Sequence, residues 1–140
     1  MILDSNIIIY SINISSPKHK EAQKFIQSHR SELFVAHQNV FESLRVLTHK
    51  KFPSPMKPID AVKSIFQITN ALRIVSPNYE SYYLSLELIR KYDLKSDQVF
   101  DAYLVGTALS NDRDTIATDN EKDFKVIKEI NIFNPFSKSN

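Results

Sequence analysis

The chain has 140 residues, 42% of them hydrophobic, enough for one domain with its own core and without staples. The absence of cysteine excludes disulfide frameworks, thiolate zinc sites and thiol nucleophiles; a sole glycine, Gly106, excludes Walker loops and dinucleotide fingerprints, which need several glycines for close backbone approach to phosphate. The formal net charge of +2 divides into −1 over residues 1–17, +6 over residues 18–73 and −3 over residues 74–140, which suits an anionic polymer beside a cation-binding acidic site and equally suits solvated helix faces. No apolar run approaches the roughly 20 residues that span a bilayer, and the N-terminus lacks the basic region of a signal peptide. A soluble, cytoplasmic protein with no membrane partner is expected.

Residues 1–10 are β-branched and apolar except for Asp4, Ser5 and Asn6, and predict a strand buried on both faces that ends near Asp4. Ser16 and Pro17 read as the cap and first position of a helix reaching about Arg30, with Ala22, Phe25 and Ile26 in helical spacing. A short strand over 33–36 precedes a second helix opening at Asn39 and ending near Lys51, with Phe41, Leu44 and Leu47 or Thr48 on one face. The prolines of residues 52–58 mark a loop. Ala61, Ile65, Ile68 and Leu72 mark a third helix, residues 73–75 a strand, and Tyr79, Tyr82, Tyr83, Leu86 and Ile89 a fourth helix introduced by Pro77. Ser96 is expected to cap a fifth helix through Ser110 that turns Phe100, Leu104 and Ala108 inward. Strands over 115–118 and 130–133 follow, and residues 137–140 form a polar tail after a domain spanning residues 1–136.

Strands alternating with helices predict an α/β fold: a mainly parallel sheet of about five strands flanked by helices on both sides. In such sheets sites form outside the carboxyl ends of the strands. Four acids fall near those places: Asp4 after the first strand, Glu42 early in the second helix, Asp101 in the fifth helix, and Asp119 after the strand over 115–118. Crowded carboxylates raise one another's pKa unless a cation occupies the site, and Mg²⁺ or Mn²⁺ is the natural occupant of an all-oxygen donor set. Each acid also has a structural explanation. Asp4 serves equally as a turn cap, Glu42 stands three residues after Asn39 as in a capping box, and Asp119 lies in a polar loop with Asn120, Glu121 and Asp123. Asp97 shares a helix face with Asp101 and is the better first-turn acid, whereas Asp101 lies between the apolar Phe100 and Ala102.

The ordered set resembles the PIN-domain ribonucleases, in particular the small VapC-type toxins of type II toxin–antitoxin pairs. The resemblance runs nearly end to end. It is carried by Ile2-Leu3-Asp4-Ser5-Asn6, by His19 with Ala22 and Phe25, and by Val40-Phe41-Glu42 with Leu44-Arg45-Val46-Leu47-Thr48. It continues in Phe100-Asp101-Ala102-Tyr103-Leu104-Val105, Ala117-Thr118-Asp119-Asn120-Glu121-Lys122-Asp123-Phe124 and Ile132-Phe133-Asn134-Pro135. It implies a PIN-like fold, with Asp4, Glu42 and Asp101 as catalytic metal ligands and a fourth acid at Asp119, with Asn120 and Asp123 as rivals. Asn6 and Thr118 would support the acids by hydrogen bonding. The implied activity is Mg²⁺- or Mn²⁺-dependent endoribonuclease cleavage of RNA phosphodiesters, leaving 5′-phosphate and 3′-hydroxyl ends. A cognate antitoxin whose C-terminal segment lies in the active-site groove, and a homodimer, are further implications. Lys18, Lys20, Lys50, Lys51 and Lys57 are candidates for contacts to the RNA backbone.

Other readings make distinct demands. A metal-independent ribonuclease needs paired imidazoles, and the spacing of His19, His29, His37 and His49 pairs none. A haloacid-dehalogenase-type phosphatase needs a second Asp two residues after the first, where this chain has Asn6. The runner-up is a catalytically silent PIN-like module that binds RNA or protein. The tyrosines of the fourth helix suit core packing, an oligomer interface or a base-stacking platform.

Overall fold

The computed structural model describes residues 1–138, so residues 139 and 140 of the expected tail lie outside the described residues. Strands β1 (Ile2–Leu3), β2 (Phe34–Ala36), β3 (Arg73–Val75), β4 (Thr115–Ala117) and β5 (Asn131–Phe133) form one sheet in the order β3-β2-β1-β4-β5. All pairings are parallel: Ile2 lies opposite Phe34 and Ile116, Leu3 opposite Ala117, and Ala117 opposite Phe133. The chain builds outward from the central β1 through β2 and β3, then returns to add β4 and β5 on the other side. The order therefore reverses between β1 and β4, and the crevice at their carboxyl ends is where such sheets bind ligands.

Helices α1 (Ser5–Ile12), α2 (His19–Ser28), α3 (His37–Leu47) and α4 (Pro58–Thr69) cover one face; α5 (Tyr79–Tyr92), α6 (Gln98–Ser110) and α7 (Glu121–Phe124) cover the other. Successive strand residues point to opposite faces. Leu3, Val35 and Ala117 thus join Ile7, Ile8, Phe25, Leu47 and Ile65 in one core, while Ile2, Ala36, Val75 and Ile116 join Leu88, Leu104, Val105 and Phe124 in the other. This is the PIN-like α/β architecture expected, with the sheet wholly parallel. No helix among the described residues is long and apolar enough to cross a membrane.

The first strand ends near Asp4 as expected, but the helix that follows it was not expected. β1 stops at Leu3, and α1 begins at once because the Asp4 carboxylate caps it, accepting from the Ser5 N–H at 2.8 Å. Isoleucine costs a helix less than about 0.7 kcal/mol relative to alanine, whereas burying Ile7 and Ile8 stabilises by roughly 1.5–3 kcal/mol each, so burial decides. The helix starts also differ. Ser16 caps only a turn, its Oγ accepting from Lys18 N at 3.2 Å, and α2 begins at His19. Ser96 lies in the left-handed region with φ 54°, and α6 starts after Asp97 without a side-chain cap.

Helical spacing misleads for the aromatics. Phe41 and Phe100 are exposed rather than inward, as are Tyr79, Tyr82, Tyr83 and Leu86. The face of α5 that packs inward carries Ser81, Ser85 and Leu88 instead. Small side chains are needed there because Gly106 of α6 closely approaches α5: a Cβ at Gly106 would lie 2.2 Å from Ser85 Oγ and 3.0 Å from the Ser81 carbonyl. Gly106→Ala would gain up to about 1 kcal/mol of helix propensity but overpack this contact by roughly 1–3 kcal/mol. The expected net result is a lower midpoint in thermal unfolding; an unchanged or raised midpoint would show that the two helices separate freely.

Candidate active site

The carboxyl ends of β1 and β4 bring Asp4 and Thr118 side by side, a direct result of the Leu3–Ala117 register. Asp4 is 7% exposed and is held by converging donors. Thr118 Oγ1 donates to Asp4 Oδ2 at 2.7 Å, and Asn6 Nδ2 donates to the same oxygen at 3.2 Å and to Thr118 Oγ1 at 3.0 Å. Ser5 N and Asn39 Nδ2 approach Asp4 Oδ1 at 2.8 and 3.4 Å. Burial, opposed by these bonds and reinforced by Glu42, raises the Asp4 pKa above the ordinary carboxylate value.

Glu42 reaches Asp4 through Ser5, whose hydroxyl lies 3.1 Å from Glu42 Oε2 and 3.4 Å from Asp4 Oδ1 and donates to one at a time. Gln38, one turn earlier on α3, donates to Glu42 Oε1 at 2.9 Å and to the Phe100 carbonyl at 2.9 Å, tying α3 to α6 beside Asp101. The Asp101 carboxyl is pushed up to about 7, first by desolvation and then by the charges of Asp123, Asp4, Glu42 and Asp97. Asp101 therefore shares one electrostatic neighbourhood with Asp4, Glu42 and Asp123.

Asp119 faces elsewhere. Its carboxylate forms an ion pair with Lys18 and accepts the Tyr10 hydroxyl at 2.9 Å. Partial burial opposes ionisation, but the Lys18 and Tyr10 hydrogen bonds and the Lys18 charge outweigh it and hold the Asp119 pKa below the ordinary value. Burial and the Asp119 carboxylate in turn push the Tyr10 phenol up to about 12. Of the acids in this segment, Asp123 is the one whose charge raises Asp101. Asn120 links the two halves of the loop, its N–H donating to Thr118 Oγ1 at 2.9 Å and its side-chain amide to the Asp123 carboxylate.

Sequence reasoning passed over Ser5, Gln38, Asn39 and Tyr10. Asn39 belongs to the body of α3, where it is fully buried against Asp4, and so forms no capping box with Glu42. The signal that marks it is a polar residue on the inward side of an amphipathic helix. The four histidines each bind a different local group: His19 the Tyr10 carbonyl, His29 the Phe25 carbonyl, His37 the Ser76 hydroxyl and His49 the Lys51 N–H. Of the five lysines singled out, Lys18 is engaged, and Lys20, Lys50, Lys51 and Lys57 are exposed. Beside Glu42 opens a cavity of about 630 Å³ lined by His37, Gln38, Phe41, Arg45, Phe100 and Tyr103.

The acids at this edge offer only hard oxygen donors, and a divalent cation offsets both the burial and the neighbouring negative charges that raise Asp101, so the residues fit Mg²⁺ or Mn²⁺. Among the described residues, no three His, Cys, Asp or Glu side chains already form a ligand cage. Mg²⁺ requires none, because it keeps several waters and combines one or two carboxylates with substrate phosphate oxygens.

The chain is similar in structure to VapBC2 from Rickettsia felis bound to a promoter DNA fragment, with a TM-score of 0.72, 17% identity, and 94% of this chain and 96% of that chain covered. It is similar to a toxin–antitoxin complex from Klebsiella pneumoniae, with a TM-score of 0.69, 19% identity and 98% of each chain covered. It is also similar to Mycobacterium tuberculosis VapC20, a sarcin–ricin loop cleaving toxin, with a TM-score of 0.67, 12% identity, and 86% of this chain and 90% of that chain covered. At these identities the likeness establishes a shared fold. No curated protein sequence matches the chain. A family model of the PIN domain matches residues 1–130, and the chain belongs to the PIN domain family.

Proposed function

We propose that this chain is a divalent-metal-dependent endoribonuclease of VapC type, the toxin of a toxin–antitoxin pair, acting in the cytoplasm as a homodimer whose PIN domain spans residues 1–136. The observation that carries the nuclease reading is the gathering of acids at the carboxyl edge of the sheet: Ser5 bridges Asp4 and Glu42, Gln38 ties Glu42 to the backbone beside Asp101, and Asn120 joins Asp123 to Thr118 on Asp4. In this reading Asp4, Glu42 and Asp101 hold the cation, and Asp123 completes the set in preference to Asp119, which is committed to Lys18. Mg²⁺ or Mn²⁺ bound there supplies charge stabilisation for the scissile phosphate and acidifies a water. Asn6 and Thr118 fix the Asp4 carboxylate, Gln38 and Ser5 fix Glu42, and Asp101 would meet a bound cation as its carboxylate. The exposed lysines and the basic surplus of residues 18–73 provide the attraction a polyanion needs.

Two partners follow from the same reading. Klebsiella and Rickettsia relatives of this fold were solved as toxin–antitoxin and VapBC assemblies, which supports an antitoxin for this chain. A second copy is supported by large apolar residues left uncovered on neighbouring elements: Phe41 of α3, Val62 and Phe66 of α4 and Ile74 of β3 together line a hollow of about 430 Å³.

Purified chain with Mg²⁺ or Mn²⁺ is expected to cut total RNA into discrete fragments that vanish in EDTA. Asp4→Asn and Asp101→Asn should each lower the rate by more than about 100-fold, beyond the usual effect of losing a supporting hydrogen bond. Intact RNA from folded, antitoxin-free protein would replace the nuclease reading with that of a binding module. The pH dependence has a definite sign. Asp101 has a raised folded-state pKa, so its contribution to stability is complete below its unfolded value of 3.8 and is lost as pH rises toward about 7. The metal-free chain should therefore lose melting temperature over this range, Mg²⁺ should raise it more at about pH 8 than at about pH 5.5, and Asp101→Asn should flatten both trends. Light scattering should give twice the 16.2 kDa chain mass, and Phe66→Glu should shift it toward the monomer; an unchanged dimer would move the interface elsewhere.

A further inference from the structure

We propose that Asp119, Lys18 and Tyr10 form a positioning latch that holds the segment between β4 and α7, and with it Thr118 and Asp123, in register with Asp4 and Asp101. Its consequence for cleavage rests on the nuclease reading above; the latch itself rests on the contacts.

The segment that begins after β4 carries, in order, Thr118 on Asp4, Asp119 on Lys18 and Tyr10, and Asn120 on Asp123. Its inner side is fastened to the acid cluster, where Asn6 Oδ1 accepts from the Asp119 N–H at 3.4 Å and Thr118 Oγ1 accepts from the Asn120 N–H at 2.9 Å. The Asp119 carboxylate is its outer fastening. That carboxylate is only 16% exposed, so it needs the partners it has. Lys18 is itself confined, with its ammonium 5.4 Å from the Tyr10 ring centre and 5.0 Å from that of Phe136, and these two rings meet edge to face. Tyr10 stands on α1, the helix that Asp4 caps, so the latch closes a ring from Asp4 along α1 to Tyr10, across Asp119, and back through Thr118 to Asp4.

A double-mutant cycle of Lys18→Met and Asp119→Asn, read by amide hydrogen exchange and by RNA-cleavage kinetics, tests this. Each single change should accelerate exchange across residues 118–123 while leaving α5 and α6 protected, and should lower kcat by about 10- to 100-fold with KM within about twofold. The double variant should be no worse than the worse single, because both remove one device. Lys18→Arg should restore most of the activity. Unchanged exchange in the loop, additive losses, or a loss in Asp119→Asn equal to that of Asp101→Asn would each overturn the proposal, the last by making Asp119 a metal ligand. Wild-type chain that cleaves no RNA would remove the nuclease reading alone, and the exchange data would still decide the latch.

Discussion

Carboxylates gathered at one edge of a sheet repel one another, and much of the surrounding structure answers that repulsion. Asp4 is nearly buried, and four residues supply donors to it: Ser5, Asn6, Asn39 and Thr118. Glu42 receives Gln38 and Ser5. Burial first, and then the charges of Asp123, Asp4, Glu42 and Asp97, push the Asp101 carboxyl up to about 7. Such a group is stable when neutral and ready to ionise when positive charge arrives, which is how a site can be tolerated empty and still bind a cation.

The backbone makes this arrangement with little material. β1 is two residues long, yet its register against β4 sets Asp4 beside Thr118, and the cap on α1 fixes where the Asp4 carboxylate points. One side chain thus ends a strand, starts a helix and enters the acid cluster. Substituting Asp4 therefore perturbs the α1 cap as well as the site, and Asp101, which caps nothing, reports more cleanly on chemistry. Gln38 performs a related service across the sheet edge, joining Glu42 to the backbone of α6 one residue before Asp101.

Alternation of strand and helix was legible in the sequence, as were the strand positions, because β-branched runs and turn residues are local signals. The placement of Asp4, Glu42 and Asp101 near the carboxyl ends of the strands was legible for the same reason, whereas a role as metal ligands was implied only by the resemblance. Helix α1 was hidden because the β-branched run of Ile7, Ile8 and Ile9 carries no helical signal until burial is counted. The engagement of Asp119 was hidden because its partners, Lys18 and Tyr10, lie about a hundred residues away in the chain. Exposure of Tyr79, Tyr82 and Tyr83 was hidden by spacing that suits a core; Gly106 and the serines facing it reverse the inward side of α5. Periodicity shows that a helix has two faces, and the partner determines which of them is buried.

Charge segregation has a consequence for any polyanion approaching this edge. On the proposed reading, the acids present a negative field where a phosphate would have to sit, and the lysines that would attract it, Lys20, Lys50, Lys51 and Lys57, are exposed. Attraction by the basic surface and acceptance at the acid edge are then separate events, the second requiring a cation to reverse the local sign. Lys18 cannot supply that reversal, because its charge is already matched by Asp119. On the proposed reading, divalent metal governs the reactive encounter with RNA while the surrounding lysines govern the first one. Salt should therefore weaken association through the lysines, and metal removal should abolish cleavage while leaving that association in place.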